Sequence, residues 1–288
     1  MALPADTTLG AIRLNAGDRD SLAAFYEGTV GLRELDGRNG VAALGTDEGR
    51  PIVELAAAPA APPRPSGTTG LFHLAILVPS RLELARALRR VSEAGWRFTG
   101  ASDHLVSEAL YLRDPEGNGI EIYRDRPREE WREAGGEIQM DTLPLDLEAL
   151  LSELEHEESR ASEGMPAGAR LGHVHLNVAD LRSSERFYSE ALGLDVTVRS
   201  YPGALFVAAG GYHHHVGLNT WMGEGASAPP RGARGLERYE IVLPGIAELD
   251  AAERRLAAHG FDAERSDEGL TAADPSGNQV LLRGASAS

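Results

Sequence analysis

Between Gly70 and Arg124 the spacing of apolar positions changes period twice. In FHLAILV it is that of a short strand, and from Ser80 to Ala94 the set Leu82, Leu84, Leu88 and Val91 marks one face of a helix that Gly95 stops. Ala109 to Arg113 and Ile120 to Arg124 read as strands joined by the turn DPEGNG. Together these segments predict a βαβββ unit.

The pattern recurs. Gly10 to Leu32 (GAIRLNAGDRDSLAAFYEGTVGL) aligns without a gap on Gly172 to Leu194 (GHVHLNVADLRSSERFYSEALGL), and Gly70 to Pro79 aligns on Gly235 to Pro244. DPEGN at Asp114 is repeated as DPSGN at Asp274. The expected fold class is therefore α+β, with four tandem βαβββ units arranged as two domains of curved mixed sheets. The N-terminal domain is placed at 8–126, an acidic and helical connector at 127–169, and the C-terminal domain at 170–284. In the connector, LDLEALLSELEHEE predicts a helix whose leucines at 145, 147, 150, 151 and 154 pack on one domain, and the segment is expected to carry no functional role.

Composition narrows the chemistry. The 288 residues include 44 Asp+Glu against 28 Lys+Arg, all of them Arg, for a net charge of −16, and there is no Cys. Thiolate nucleophiles, Cys-ligated zinc, iron–sulfur clusters, Schiff bases and the P-loop lysine are excluded. The acidic balance disfavours nucleic acid as a partner. The longest apolar run, in LAILVP, is far too short for a membrane span, and the N-terminus has no secretory pattern, so a cytoplasmic location is expected.

His, carboxylate and Tyr remain. His156 in the connector and His259 at a helix end read as surface residues, while His73, His104, His173, His175 and His213 to His215 fall on or beside strands. Strand alternation puts His173, His175 and Asn177 on one face, opposite Val174, Leu176 and Val178. Glu121, embedded in GIEIY, is costly to bury unless paired or bound to a metal. Two His and one carboxylate from different strands have the composition of the facial triad that holds non-haem Fe(II).

The tandem units, the FYSEALGL helix ending and the DPxGNxxE hairpin resemble the vicinal oxygen chelate superfamily. Nearly the whole chain is similar to its type I extradiol catechol dioxygenases, in the bacillary catechol 2,3-dioxygenase-like branch. That resemblance implies one site made by units two and three, with units one and four structural. It implies His73, His175 and Glu121 as ligands of Fe(II), or alternatively Mn(II). It also implies His214, His104 and Tyr111 as catalytic residues, and Asn177, Val106, His213, His215 and Trp221 as substrate-binding residues. His213 and His215 are alternatives to His214 for the acid–base role, and Ser107 and Arg113 lie near the same motifs. The implied partners are a small aromatic substrate and O₂, the product is a ring-opened semialdehyde, and a homo-oligomer is left open. Two other readings compete, a glyoxalase-type isomerase using Zn or Ni and a metal-free resistance protein that binds a small molecule.

Overall fold

The four expected units are all present in the computed structural model, which describes residues 2–38, 40–155 and 164–285. Unit one comprises β1 (Thr8–Ala16), α1 (Arg19–Phe25), β2 (Arg33–Arg38), β3 (Val41–Gly45) and β4 (Pro51–Ala57). Unit two comprises β5 (Gly70–Leu77), α2 (Arg81–Glu93), β6 (Phe98–Asp103), β7 (Ser107–Arg113) and β8 (Gly119–Asp125). The connector carries β9 (Glu133–Ala134), β10 (Glu137–Ile138), β11 (Leu143–Pro144) and α3 (Leu147–Leu151). Unit three follows with β12 (Arg170–Asn177), α4 (Leu181–Glu185), β13 (Asp195–Val198), β14 (Ala204–Ala208) and β15 (Val216–Asn219). Unit four is β16 (Gly235–Leu243), α5 (Ile246–Ala258), β17 (Ala263–Ser266), β18 (Gly269–Ala273) and β19 (Gln279–Gly284).

Local chemistry explains the boundaries. Ser80 caps α2 by accepting from the Glu83 N–H, and Gly95, at φ +67, ends it in a conformation that suits glycine. Leu84, Leu88 and Val91 bury one face of this helix, while Leu82 stays half-buried. Each DPxGN turn folds around its own aspartate. Asp114 accepts the N–H groups of Glu116 and Asn118, both at 2.9 Å, and Asp274 accepts those of Ser276 and Asn278 at 2.8 and 2.9 Å. The two sequence motifs meet in space, because the FY tyrosine of one unit donates to the aspartate of the next. Tyr26 reaches Asp114 at 3.3 Å and Tyr188 reaches Asp274 at 3.0 Å.

Within each unit the helix carries the chain back across the sheet, so the first and last strands lie side by side and parallel. Units join through antiparallel pairing of their first strands. The order β17-β18-β19-β16-β1-β4-β3-β2 combines units four and one, and β11-β6-β7-β8-β5-β12-β15-β14-β13 combines units two and three. Each large sheet thus draws one unit from each sequence half. Alternation holds across the second sheet: Leu74, Ile76, Ile120, Ile122, Val174 and Leu176 are buried in the main apolar core, and the opposite face carries the histidines and Glu121.

The connector departs from expectation. Its helix spans only Leu147–Leu151 before a short 3-10 turn, with Leu150 buried and Leu147 and Leu151 exposed. Arg81 holds it through the Ala149 carbonyl and the Glu153 carboxylate. The predicted continuation through His156 lies outside the described residues. No helix among the described residues is long and apolar enough to cross a membrane.

Candidate metal centre

Strand register decides which side chains converge. Arg113, Gly119, His73, His175 and Gly217 form one row across β7, β8, β5, β12 and β15. Tyr111, Glu121, Ala75 and His173 form the next. Ala75 offers only a methyl group, so nothing large stands between Glu121 and His173. Glu121 Oε2 lies 2.9 Å from His73 Nε2 and 3.0 Å from His173 Nε2, and the three ligand atoms fall within 4.8 Å of one another.

The converging group differs from the expected ligand set, with His173 rather than His175 beside His73 and Glu121. Both face the same side of β12, but His175 lies in the adjacent row, about 7 Å further along the strand. Its ring lines the same cavity as that group and is set among those of His73, Phe72, Trp221 and Phe206, with centroids 5.0, 5.2, 5.2 and 5.7 Å away. Gly217 makes room for it, as a Cβ there would stand 3.0 Å from the imidazole. A signal for His173 was present in the sequence. The helix N-caps are Ser80 and Asp180, and counting seven residues back reaches His73 (80 − 7) and His173 (180 − 7). The corresponding carboxylate of unit one, Glu54, pairs with Arg13 at 2.7 Å, so an ion pair takes the place of a metal site there.

The donor set suits a divalent cation. Burial lowers the His173 pKa to about 4, so its imidazole is neutral at pH 7 with a lone pair available. Burial also pushes the Glu121 carboxyl up, but His173 and His73 more than offset this and hold it well below the usual range. The His73 Nε2 is buried and approaches Glu121 without hydrogen-bond geometry. Two donors about 2.1 Å from an ion and subtending about 90° stand about 3.0 Å apart, the spacing of Glu121 from each histidine, whereas a tetrahedral angle needs about 3.4 Å.

A cavity of about 360 Å³ opens onto this group. It brings together several of the expected residues. His104 Nε2 and the Tyr111 hydroxyl are 2.6 Å apart, and His104 Nδ1 lies 2.7 Å from the Asp141 carbonyl, which can only accept. In the neutral imidazole Nδ1 therefore donates to Asp141 and Nε2 accepts from Tyr111. Burial raises the Tyr111 pKa well above its ordinary value, reinforced by Glu121, so the phenol keeps its proton. His214 and Trp221 line the cavity, as do Ser107 and Arg113. The His214 ring centroid lies 4.1 Å from that of His173, and burial holds its pKa well below the ordinary value.

Four of the expected substrate-binding residues stand elsewhere. Val106 packs in a separate apolar cluster with Ile138 and Val198. Asn177 lies at the end of β12 with its amide toward the Gly70 carbonyl. His213 turns to Asp125, and the Nδ1 of His215 accepts the Ala209 N–H at 3.2 Å. Sequence reading missed Phe72, Tyr201 and Phe206, and also Met140 and Thr142, which the connector supplies to the cavity.

Comparison with known proteins follows the same lines. The family model Glyoxalase/Bleomycin resistance protein/Dioxygenase superfamily matches residues 8–122 and 170–282. The chain is 42% identical over 274 residues to a catechol-2,3-dioxygenase of Bacillus subtilis (strain 168), covering 94% of each. Among solved structures it resembles a proposed dioxygenase from Bacillus subtilis subsp. subtilis str. 168, with a TM-score of 0.68 at 14% identity over 99% of this chain and 86% of that one. Glyoxalase I from Zea mays gives a TM-score of 0.58 at 16% identity over 96% and 92%. At these identities the two structures speak to the fold alone.

Proposed function

The chain belongs to the glyoxalase/bleomycin resistance protein/dioxygenase superfamily, and from that membership we propose that it is an extradiol dioxygenase, cleaving a catechol with O₂ next to its hydroxyls to a ring-opened semialdehyde. The observation that carries this reading is the convergence in one cavity of the His73, His173 and Glu121 group, the His104–Tyr111 pair and His214. The identity to the Bacillus subtilis catechol-2,3-dioxygenase supports it. We assign Fe(II) to the three donors, with Mn(II) as the alternative. When bound, such an ion supplies Lewis acidity toward a catechol hydroxyl and electron-transfer chemistry toward O₂.

The protein's own residues do the rest. His73, His173 and Glu121 would hold the ion through two imidazole nitrogens and one carboxylate, and the cavity that opens onto them gives a substrate room to approach. The Tyr111 hydroxyl spends its proton on His104, so its oxygen lone pairs remain to accept a substrate hydroxyl and orient the ring. Phe72, Phe206 and Trp221 provide apolar walls for an aromatic ring. His214, neutral by burial, can take a substrate proton and return it later. Gly217 occupies the place in unit three that Glu121 holds in unit two, so that place supplies no fourth ligand for a glyoxalase-type centre.

The test is anaerobic loading with Fe(II), followed by catechol and O₂. Stoichiometric O₂ uptake with a yellow ring-cleavage product supports the reading. Stoichiometric metal without O₂ uptake across a panel of catechols overturns it.

A further inference from the structure

Three consecutive histidines, Tyr212's neighbours in the sequence, are divided by the fold into one cavity residue and two that face away from it. His214 lines the cavity, and behind it runs a buried chain of polar contacts that the reaction described above does not use. His214 Nδ1 lies 2.7 Å from His213 Nδ1, and His213 Nε2 lies 2.9 Å from Asp125 Oδ1. The Tyr212 hydroxyl donates to Asp125, 3.2 Å from Oδ1 and 3.0 Å from Oδ2. His213 is fully buried, with its backbone carbonyl accepting from Thr197 at 2.6 Å and its ring against Tyr212 and Trp131.

From this geometry we infer that Asp125 and His213 are positioning residues that fix the tautomer of His214. A carboxylate can only accept, so His213 Nε2 must carry the hydrogen it shares with Asp125. In a neutral His213 the other nitrogen, Nδ1, then has a lone pair and accepts. The facing Nδ1 of His214 must be the donor across the 2.7 Å contact, and Nε2 of His214 is left without a hydrogen. Carboxylate, buried imidazole and backbone together thus present to the cavity an imidazole nitrogen able to accept a proton. With the opposite tautomer His214 would offer an N–H there and could not begin the proton transfer. The arrangement extends the logic of an orienting carboxylate by one additional ring.

The kinetic part of this inference rests on the ring-cleavage reading, whereas the tautomer itself is measured without turnover. In the full-length, metal-free protein labelled with ¹⁵N-histidine, His214 is expected to show a protonated Nδ1 and an unprotonated Nε2. The reverse pattern in the wild-type protein overturns the inference. Asp125→Ala removes the acceptor and is expected to free the chain to reverse, so that a population with protonated His214 Nε2 appears. Asp125→Asn keeps an acceptor oxygen at Oδ1 and is expected to retain the wild-type pattern. With Fe(II) bound, Asp125→Ala should lower kcat at least tenfold with KM within about twofold, and Asp125→Asn should recover most of that loss. An unchanged His214 pattern in a folded Asp125→Ala protein would sink the inference. If Asp125→Ala does not fold, the wild-type and Asp125→Asn spectra still decide it. Absence of any catechol turnover in the wild type refutes the ring-cleavage reading and leaves the tautomer measurement intact.

Discussion

Replacing His173 with Ala, beside His175→Ala as its partner experiment, separates two ligand sets that differ by one step along β12. The structure gives His173 a contact of 3.0 Å to Glu121, and places His175 outside the group of converging donors. Residues that only support metal ligands typically cost 10–100-fold in affinity when changed, so loss of a direct ligand should cost at least about 100-fold. An ion held at 100 times its Kd stabilises the native state by about 2.7 kcal/mol. For 288 residues the unfolding entropy is about 0.6 kcal/mol/K, so that stabilisation raises Tm by about 4–5 °C. With affinity reduced 100-fold at the same ion concentration, the remainder is about 0.4 kcal/mol and less than about 1 °C. The assay is an anaerobic thermal melt with and without Fe(II), repeated with Mn(II). We expect the shift to persist in His175→Ala, whatever its baseline Tm, and to vanish in His173→Ala. A shift lost in His175→Ala but kept in His173→Ala would refute the register argument.

Further outcomes follow from particular residues. Burial, aided by His213, lowers the His215 pKa to about 4 from the free value of 6.5. As pH falls below 6.5 the unfolded chain takes up a proton that the folded chain refuses until about pH 4, so stability is lost across that window, on the order of 3 kcal/mol. His215→Gln, which keeps an acceptor for the Ala209 N–H, should give a shallower decline in urea-unfolding free energy between pH 6.5 and 4; an equal slope would be contrary evidence. Leu105 holds φ +69 beside His104, a left-handed conformation costly for a side chain. Leu105→Gly should therefore raise stability by about 1 kcal/mol while raising KM through a looser His104–Tyr111 pair, and a lower Tm would count against the strain. Asp274→Ala strips the acceptor from Ser276, Asn278 and Tyr188, all buried, and should cost about 3–5 kcal/mol in chemical denaturation.

Much of the architecture was legible in the chain. The internal repeats and the change of apolar period determine four βαβββ units, since a period of two buries one face of a strand and a period of 3.6 one side of a helix. DPxGN specifies its own turn, because the aspartate satisfies the local N–H groups. The pairing of unit two with unit three could be inferred from where the histidines and Glu121 fall. Three matters were decided in the tertiary structure, whatever the apolar period along the chain. His173 and His175 share a face by alternation, so sequence period cannot choose between them, and the choice comes from the β5–β12 and β5–β8 registers that set His173 and Glu121 on either side of Ala75. His213, His214 and His215 precede β15 in irregular backbone, where no period applies, and only packing around Asp125 turns His214 inward. Met140 and Thr142 reach the cavity from a connector expected to carry no functional role, because hydrophobicity along a chain records how much a residue gains from burial and not which neighbour buries it.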